Sequence, residues 1–118
     1  MNQNVYWRLE LNIKPGKLEA FRAITKEMVA FGRLHEPGTL HYELSINTDG
    51  TECHIYERYV DSDAALVHMS NFKTHFSERF MDCVQPTKFV VYGHPSDKLK
   101  AVWPPGVVQI FEPFVGFE

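Results

Sequence analysis

Between Glu52 and Phe72, in ECHIYERYVDSDAALVHMSNF, a period-two pattern gives way to a helical one within two residues. That change of period leaves few folds open. Cys53, Ile55, Glu57 and Tyr59 alternate with His54, Tyr56, Arg58 and Val60, and the β-branched and aromatic residues among them suit a pleated strand. The alternation stops at Asp61-Ser62-Asp63. There Asp61 or Ser62 can place a side-chain oxygen over the free N–H groups of a helix opened by Ala64-Ala65-Leu66.

The same two periods alternate along the rest of the chain. Val5, Trp7, Leu9, Leu11 and Ile13 alternate with Tyr6, Arg8, Glu10 and Asn12, which predicts a first strand. Lys14-Pro15-Gly16 breaks it. From Lys17 the apolar residues Leu18, Phe21, Ile24, Met28 and Phe31 fall at spacings of three and four, one stripe of a helix that lies on a sheet. Gly32, or Glu36-Pro37-Gly38 at the latest, ends it. Thr39 to Ile46 reads as the second strand, joined through Asn47-Thr48-Asp49-Gly50 to the third as a hairpin. Two registers are open. A two-residue Asp49-Gly50 turn puts Leu40, Tyr42, Leu44 and Ile46 on the face of Tyr59, Glu57, Ile55 and Cys53. A type I turn from Asn47 with Gly50 in a bulge sets His41 opposite Glu57.

After the Ala64-led helix, Ser70-Asn71 loosens the pattern. Phe72, Phe76, Phe80 and Met81 then predict a second helical piece to about Val84, closed by Gln85-Pro86. Thr87 to Tyr92 is a near-continuously apolar fourth strand, the mark of a covered position. Pro95-Ser96-Asp97 predicts a capped short helix through Val102, Trp103-Pro104-Pro105-Gly106 a rigid break, and VVQIFEPFVGFE a fifth strand that Pro113 confines to an edge or bulge.

Strand, helix, strand, strand, helix, strand is the order of an α+β fold of the ferredoxin-like, split βαβ plan. We expect one such domain over residues 1–118, with 94–118 as a C-terminal extension and edge strand. Two helices cover one face of the sheet. The other carries Tyr6 or Trp7 and Tyr56 or Tyr59, too aromatic a surface for water, so a homodimer enclosing a cavity is expected, with the tail strand free to cross to the partner.

Composition removes other classes. A formal net charge of -3 with no lysine or arginine block argues against nucleic acid. No stretch approaches the roughly 20 apolar residues of a membrane span, and the polar start MNQN is no secretory signal, so a cytoplasmic protein is expected. Cys53 and Cys83 show neither metal spacing nor a disulfide framework and read as buried thiols. Histidine is the unusual count, at six.

Gly38-Thr39-Leu40-His41-Tyr42-Glu43-Leu44, Ile55-Tyr56-Glu57-Arg58-Tyr59, and Ala64-Ala65 with His68 resemble the antibiotic biosynthesis monooxygenase domain family. The resemblance implies a dimeric α/β barrel that inserts oxygen into an electron-rich phenol or hydroquinone with no metal or flavin. The implied partners are a second copy of the chain, a small aromatic molecule and molecular oxygen. Such chemistry asks little of a protein, because a phenolate or hydroquinone dianion reduces oxygen itself. The pocket need only exclude water, hold the ring and manage a proton.

His68 and Glu57 match the family histidine and glutamate and are the catalytic candidates. Their structural alternatives are a packed histidine bonded to backbone and a carboxylate paired with arginine or a tyrosine hydroxyl. If Glu57 lies opposite Tyr42, desolvation is expected to raise its pKa. Arg8 and His41 are candidates to orient a substrate oxygen, and Tyr42 and Tyr56 to line a ring slot, against solvated or packing roles. No metal is expected: His68 and His75 are seven residues apart, and His41 with His54 would need Glu43 or Glu57 to complete a site. The haem-degrading relatives carry their axial histidine about eleven residues beyond the position of His68, where this chain has Arg79, so no cofactor is expected. The alternative functions are a non-catalytic barrel binding a small hydrophobic ligand, and an isomerase or lyase using one acid–base pair.

Overall fold

A computed structural model describes residues 2–118. The first strand, β1 (Val5–Ile13), is the spine of a five-stranded sheet ordered β2-β3-β1-β4-β5, with β2 at Thr39–Ile46, β3 at Glu52–Tyr59, β4 at Val84–Tyr92 and β5 at Gln109–Phe111. All neighbours are antiparallel except β5, which runs parallel to β4. Helices α1 (Leu18–His35), α2 (Ser62–His75) and α3 (Ser77–Cys83) follow in ferredoxin-like order, and a single turn, α4 (Asp97–Lys100), precedes β5. The α+β assignment holds, and the sheet does not close on itself.

The hairpin combines the two readings of its register. Tyr42 pairs with Glu57, Leu44 with Ile55 and Ile46 with Cys53, as the hydrophobic pattern predicts. The turn nevertheless starts at Asn47, whose carbonyl accepts from the Gly50 N–H at 3.1 Å, with Gly50 at φ 71°. The Asn47 side-chain oxygen accepts from the Thr51 and Glu52 amides, so one asparagine closes a longer loop without shifting the strands. A bulge at Leu40 then leaves that residue exposed.

Several boundaries differ from expectation for identifiable reasons. Of the two expected stops for α1 the later one applies: Gly32 lies inside the helix, its carbonyl bonded to the Glu36 N–H, and Glu36-Pro37-Gly38 ends it. Helix α2 runs unbroken through Ser70-Asn71, started by Asp61, whose Oδ1 accepts from the Ala64 N–H at 2.9 Å. Pro86 does not end a helix. It sits within β4 opposite Leu11, at a register shift between Glu10 and Leu11, the kind of irregularity that admits a proline into a strand. Within β4 only Val84, Val90 and Val91 are buried, so the covered stretch is shorter than its composition suggested.

Two apolar clusters lie between sheet and helices. Leu11, Ile13, Phe21, Ile24, Cys53, Ile55 and Phe80 belong to one, under α1 and α3. Val5, Trp7, Tyr59, Ala65, Val91, Leu99 and Trp103 form the other, under α2 and α4. Trp7, Glu57 and Tyr42 stand in one row across β1, β3 and β2, so at the seam of the clusters a carboxylate lies flanked by aromatic rings.

Candidate active site

Glu57 is on the helix-covered face because Cys53, Ile55, Glu57 and Tyr59 alternate inward along β3, and only 5% of the residue is exposed. A carboxylate there must be bonded to be tolerated. The Trp7 indole N–H donates to Oε2 at 2.5 Å, the Tyr59 hydroxyl donates to Oε1 at 2.7 Å, and His68 Nε2 lies 2.8 Å from Oε1. His68 comes down from α2, and its other ring nitrogen, Nδ1, lies 3.0 Å from Oε1 of Glu36. Glu36 in turn accepts from Asn71 Nδ2 at 3.0 Å and from the Thr39 hydroxyl at 3.2 Å. His68 and Asn71 are three residues apart on one face of α2, so both reach the same carboxylate.

A ring with a carboxylate oxygen at each nitrogen is held as an imidazolium, since only that form donates from both positions. Burial works against the charge on His68. Attraction to Glu57, the bonds to both carboxylates and the charge of Glu36 outweigh it, and the pKa is pushed up to about 10. For Glu57 burial alone would raise the pKa, as expected from sequence, but the charge and bond of His68, with the bonds from Tyr59 and Trp7, reverse the direction and hold it low. Glu36 follows the same pattern: burial is outweighed by His68, Asn71 and Thr39. Two carboxylates and one imidazolium leave the cluster with one net negative charge. Glu36 also occupies the C-cap of α1, where the helix dipole disfavours an anion by about 0.3–1 kcal/mol, a cost His68 offsets.

Glu36 is the member of this cluster that lines a groove, with its side chain itself only 4% exposed. Between α1 and β2 runs a groove of about 820 Å³, walled by Val29, Gly32, Arg33, Glu36, Tyr42 and Leu44 among others. A Cβ built on Gly32 would meet Glu36 Oε1 and the Tyr42 ring at 3.5 Å, so this helical glycine forms the floor directly over both. The Tyr42 ring meets His68 edge-on, with centroids 5.6 Å apart. Burial, then the charges of Glu57 and Glu36, raise the Tyr42 pKa, so its hydroxyl stays a neutral donor.

Of the six residues singled out in the sequence, the structure brings together Glu57, His68 and Tyr42. His41 stands on the groove rim, 3.1 Å from Glu43. Arg8 and Tyr56 pair with each other on the opposite face of the sheet, where Arg8 binds Glu10 at 3.0 Å and Tyr56 accepts from Arg58. The sheet therefore separates Arg8 and Tyr56 from His68. Glu36 was missed as a functional residue because Glu36-Pro37-Gly38 reads as a helix-ending turn. Its only signal is a carboxylate placed where a helix dipole repels one.

Ligating atoms of Glu10, Glu52 and His54 come within 4.8 Å of one another on the open face, in an exposed ion-pair group. His75 packs against Phe31 and Phe76, and Arg79 binds Glu27. A larger recess of about 1,120 Å³, between the chain ends and the start of α2, lies by Tyr6 and Arg58 on the open face and includes no member of the buried cluster. No helix is long and apolar enough to cross a membrane among the described residues.

A family model described as antibiotic biosynthesis monooxygenase matches residues 5–88. Among solved structures, MupZ from Pseudomonas fluorescens is 30% identical, aligning over 100% of this chain and 91% of its own with a TM-score of 0.82. An antibiotic biosynthesis monooxygenase-type protein from Nitrosomonas europaea is 23% identical over 80% of this chain and 92% of its own, TM-score 0.68. SnoaB, a cofactor-independent oxygenase from Streptomyces nogalater, is 14% identical over 80% and 95%, TM-score 0.66, a likeness of fold. No curated protein matches the chain in sequence.

Proposed function

Because the chain belongs to the antibiotic biosynthesis monooxygenase family, we propose that it is a cofactor-independent monooxygenase acting on a small aromatic or quinol-type substrate bound in the α1–β2 groove. The observation that carries this reading is a buried, net-negative Glu36–His68–Glu57 cluster whose Glu36 lines the α1–β2 groove. SnoaB, of the same fold, is a cofactor-independent oxygenase.

In this mechanism the Glu36 carboxylate takes a proton from the substrate in the groove. With its pKa held low, Glu36 is a weak base, so it suits only a substrate whose anion is strongly delocalised, such as a hydroquinone or an anthrone. That anion reduces oxygen directly. For an anthrone the sequence is deprotonation at the ring methylene, carbon–oxygen bond formation to a peroxide, and loss of water to leave the carbonyl. The methylene and one molecule of oxygen thus become a carbonyl and one molecule of water, with the carbon oxidised and both oxygen atoms reduced. His68 and Glu57 are positioning residues that keep Glu36 ionised and aimed, and the Tyr42 hydroxyl donates to the developing oxyanion.

The functional unit in this proposal is a homodimer. Its support is the open face, with Tyr6 stacked on Tyr92 and Arg58 over Tyr6, and the exposed Phe114 and Phe117 of the tail. A second reading, an isomerase or lyase, uses the same proton transfer without oxygen; Glu36 beside a protonated imidazole supplies base and acid. Oxygen-electrode measurements with a hydroquinone and an anthrone separate them. Uptake that falls roughly 10²–10⁴-fold in Glu36→Gln supports the oxygenase. Substrate conversion with no oxygen consumed sinks it.

A further inference from the structure

We infer that Asn71 is a positioning residue for the proton transfer: its side-chain amide stops the Glu36 carboxylate from turning and does so without cancelling its charge. The inference rests on Glu36 being the base of the proposed reaction.

Asparagine is an unfavourable residue inside a helix, where its side chain competes with the backbone for hydrogen bonds. Asn71 nevertheless lies within α2, half-buried, and its side chain reaches across to Glu36 at the end of α1. Only the amide nitrogen can face a carboxylate, so chemistry fixes which end donates. Three donors serve the Glu36 side chain, and they are divided unevenly. His68 Nδ1 at 3.0 Å and the Thr39 hydroxyl at 3.2 Å both bind Oε1, whereas Asn71 Nδ2, at 3.0 Å, makes the one hydrogen bond to Oε2 among the described residues. A glutamate carboxylate turns easily about its last side-chain bond, where the rotational wells are broad. Two donors on one oxygen leave that rotation open, and a donor on the other oxygen closes it.

The kind of donor matters as much as its place. A lysine at position 71 would satisfy the same oxygen and bring the cluster from one net negative charge to neutrality. The neutral amide satisfies the oxygen and leaves the charge. Burial raises the Glu36 pKa, while the bond and charge of His68, then the bonds from Asn71 and Thr39, hold it low. Asn71 belongs neither to the shared imidazolium nor to β2, so the basicity of Glu36 can be tuned there with the rest of the cluster in place.

Three substitutions in the whole chain test this role against simple packing: Asn71→Lys, Asn71→Ala and Asn71→Asp. Carboxyl carbon NMR should place the Glu36 titration, from lowest to highest, in the order Asn71→Lys, unaltered chain, Asn71→Ala, Asn71→Asp. A cation favours the carboxylate, a lost donor disfavours it, and a second carboxylate disfavours it more. With a hydroquinone as substrate, the acid limb of kcat/KM should move in the same order, and kcat should fall about 10-fold in Asn71→Ala with KM changed less than about threefold. A Glu36 titration that stays put in all three variants, or an acid limb that does not follow the order, would overturn the inference even if every variant were slower. Absence of oxygen uptake in the unaltered chain would overturn the oxygenase reading alone, since the order of the Glu36 titrations is read without substrate.

Discussion

Each side of the sheet carries a histidine beside two glutamates, with one close contact in common and a second that is tight only on the covered face. On the open face His54 is 2.9 Å from Glu52 and 3.8 Å from Glu10; on the covered face His68 is 2.8 Å from Glu57 and 3.0 Å from Glu36. The chemistry is matched and the surroundings are not. The His54 side chain is 46% exposed, against 9% for His68. Water can replace either partner of His54 at little cost, whereas nothing can replace a partner of His68. Pairing is common to both groups, so it is burial that turns an ordinary ion pair into a charge reservoir, and only the buried group adjoins a groove.

The sharpest way to break the comparison is to remove each ring in turn, the buried one first. His68→Ala should cost about 3–5 kcal/mol in urea denaturation, because it strands two buried carboxylates. Replacing all three residues together, as Glu36→Gln, Glu57→Gln and His68→Leu, should recover most of that loss while oxygen uptake stays abolished. A loss below about 1 kcal/mol for His68→Ala would mean that the cavity hydrates freely.

Stability against pH should follow the buried group. The folded pKa of His68 is raised, so its contribution is full below the ordinary value of 6.5 and is lost as pH rises toward about 10. Those of Glu36 and Glu57 are lowered, so theirs is full above 4.5 and lost as pH falls below it. Chemical denaturation should therefore show a plateau near pH 5–6.5 and a decline on the order of a few kcal/mol between about pH 7 and 10. In the triple variant the alkaline decline should flatten.

Smaller effects sharpen the same contrast. Glu57→Gln keeps an acceptor for Trp7 or Tyr59 but loses the charge facing His68, a cost of about 1–3 kcal/mol. Gly32→Ala should stabilise the chain by about 0.4–1 kcal/mol, since the new methyl group meets only ordinary contacts in a helix. It should also slow turnover by narrowing the way to Glu36. His54→Ala should change stability by about 0–1 kcal/mol, and less at high salt. A His54 effect as large as that of His68 would show that burial is not what distinguishes them.

The fold was legible because each strand alternates cleanly and each helix carries a stripe, so the order of elements could be read without distances. The alternation of β3 put Glu57 among inward residues, and helical spacing placed His68 on α2. Which of the hairpin's faces Glu57 would share with Tyr42 depended on one turn, where asparagine chemistry and hydrophobic register pointed different ways. Glu36 was hidden for a different reason. A glutamate before Pro-Gly at a helix end has the local look of a solvated turn, and only the tertiary approach of His68 and Asn71 gives it partners. Arg8 and Tyr56 were grouped with the site because sequence gives period but not which sheet face the helices cover.

The most direct test of the account is the protonation state of His68 itself, read from ring nitrogen and carbon NMR shifts across about pH 5–11. A ring protonated at both nitrogens through neutral pH, titrating at about 10, is the predicted result. A neutral ring at neutral pH, or titration near the ordinary value of about 6.5, would contradict a charged cluster poised on the groove.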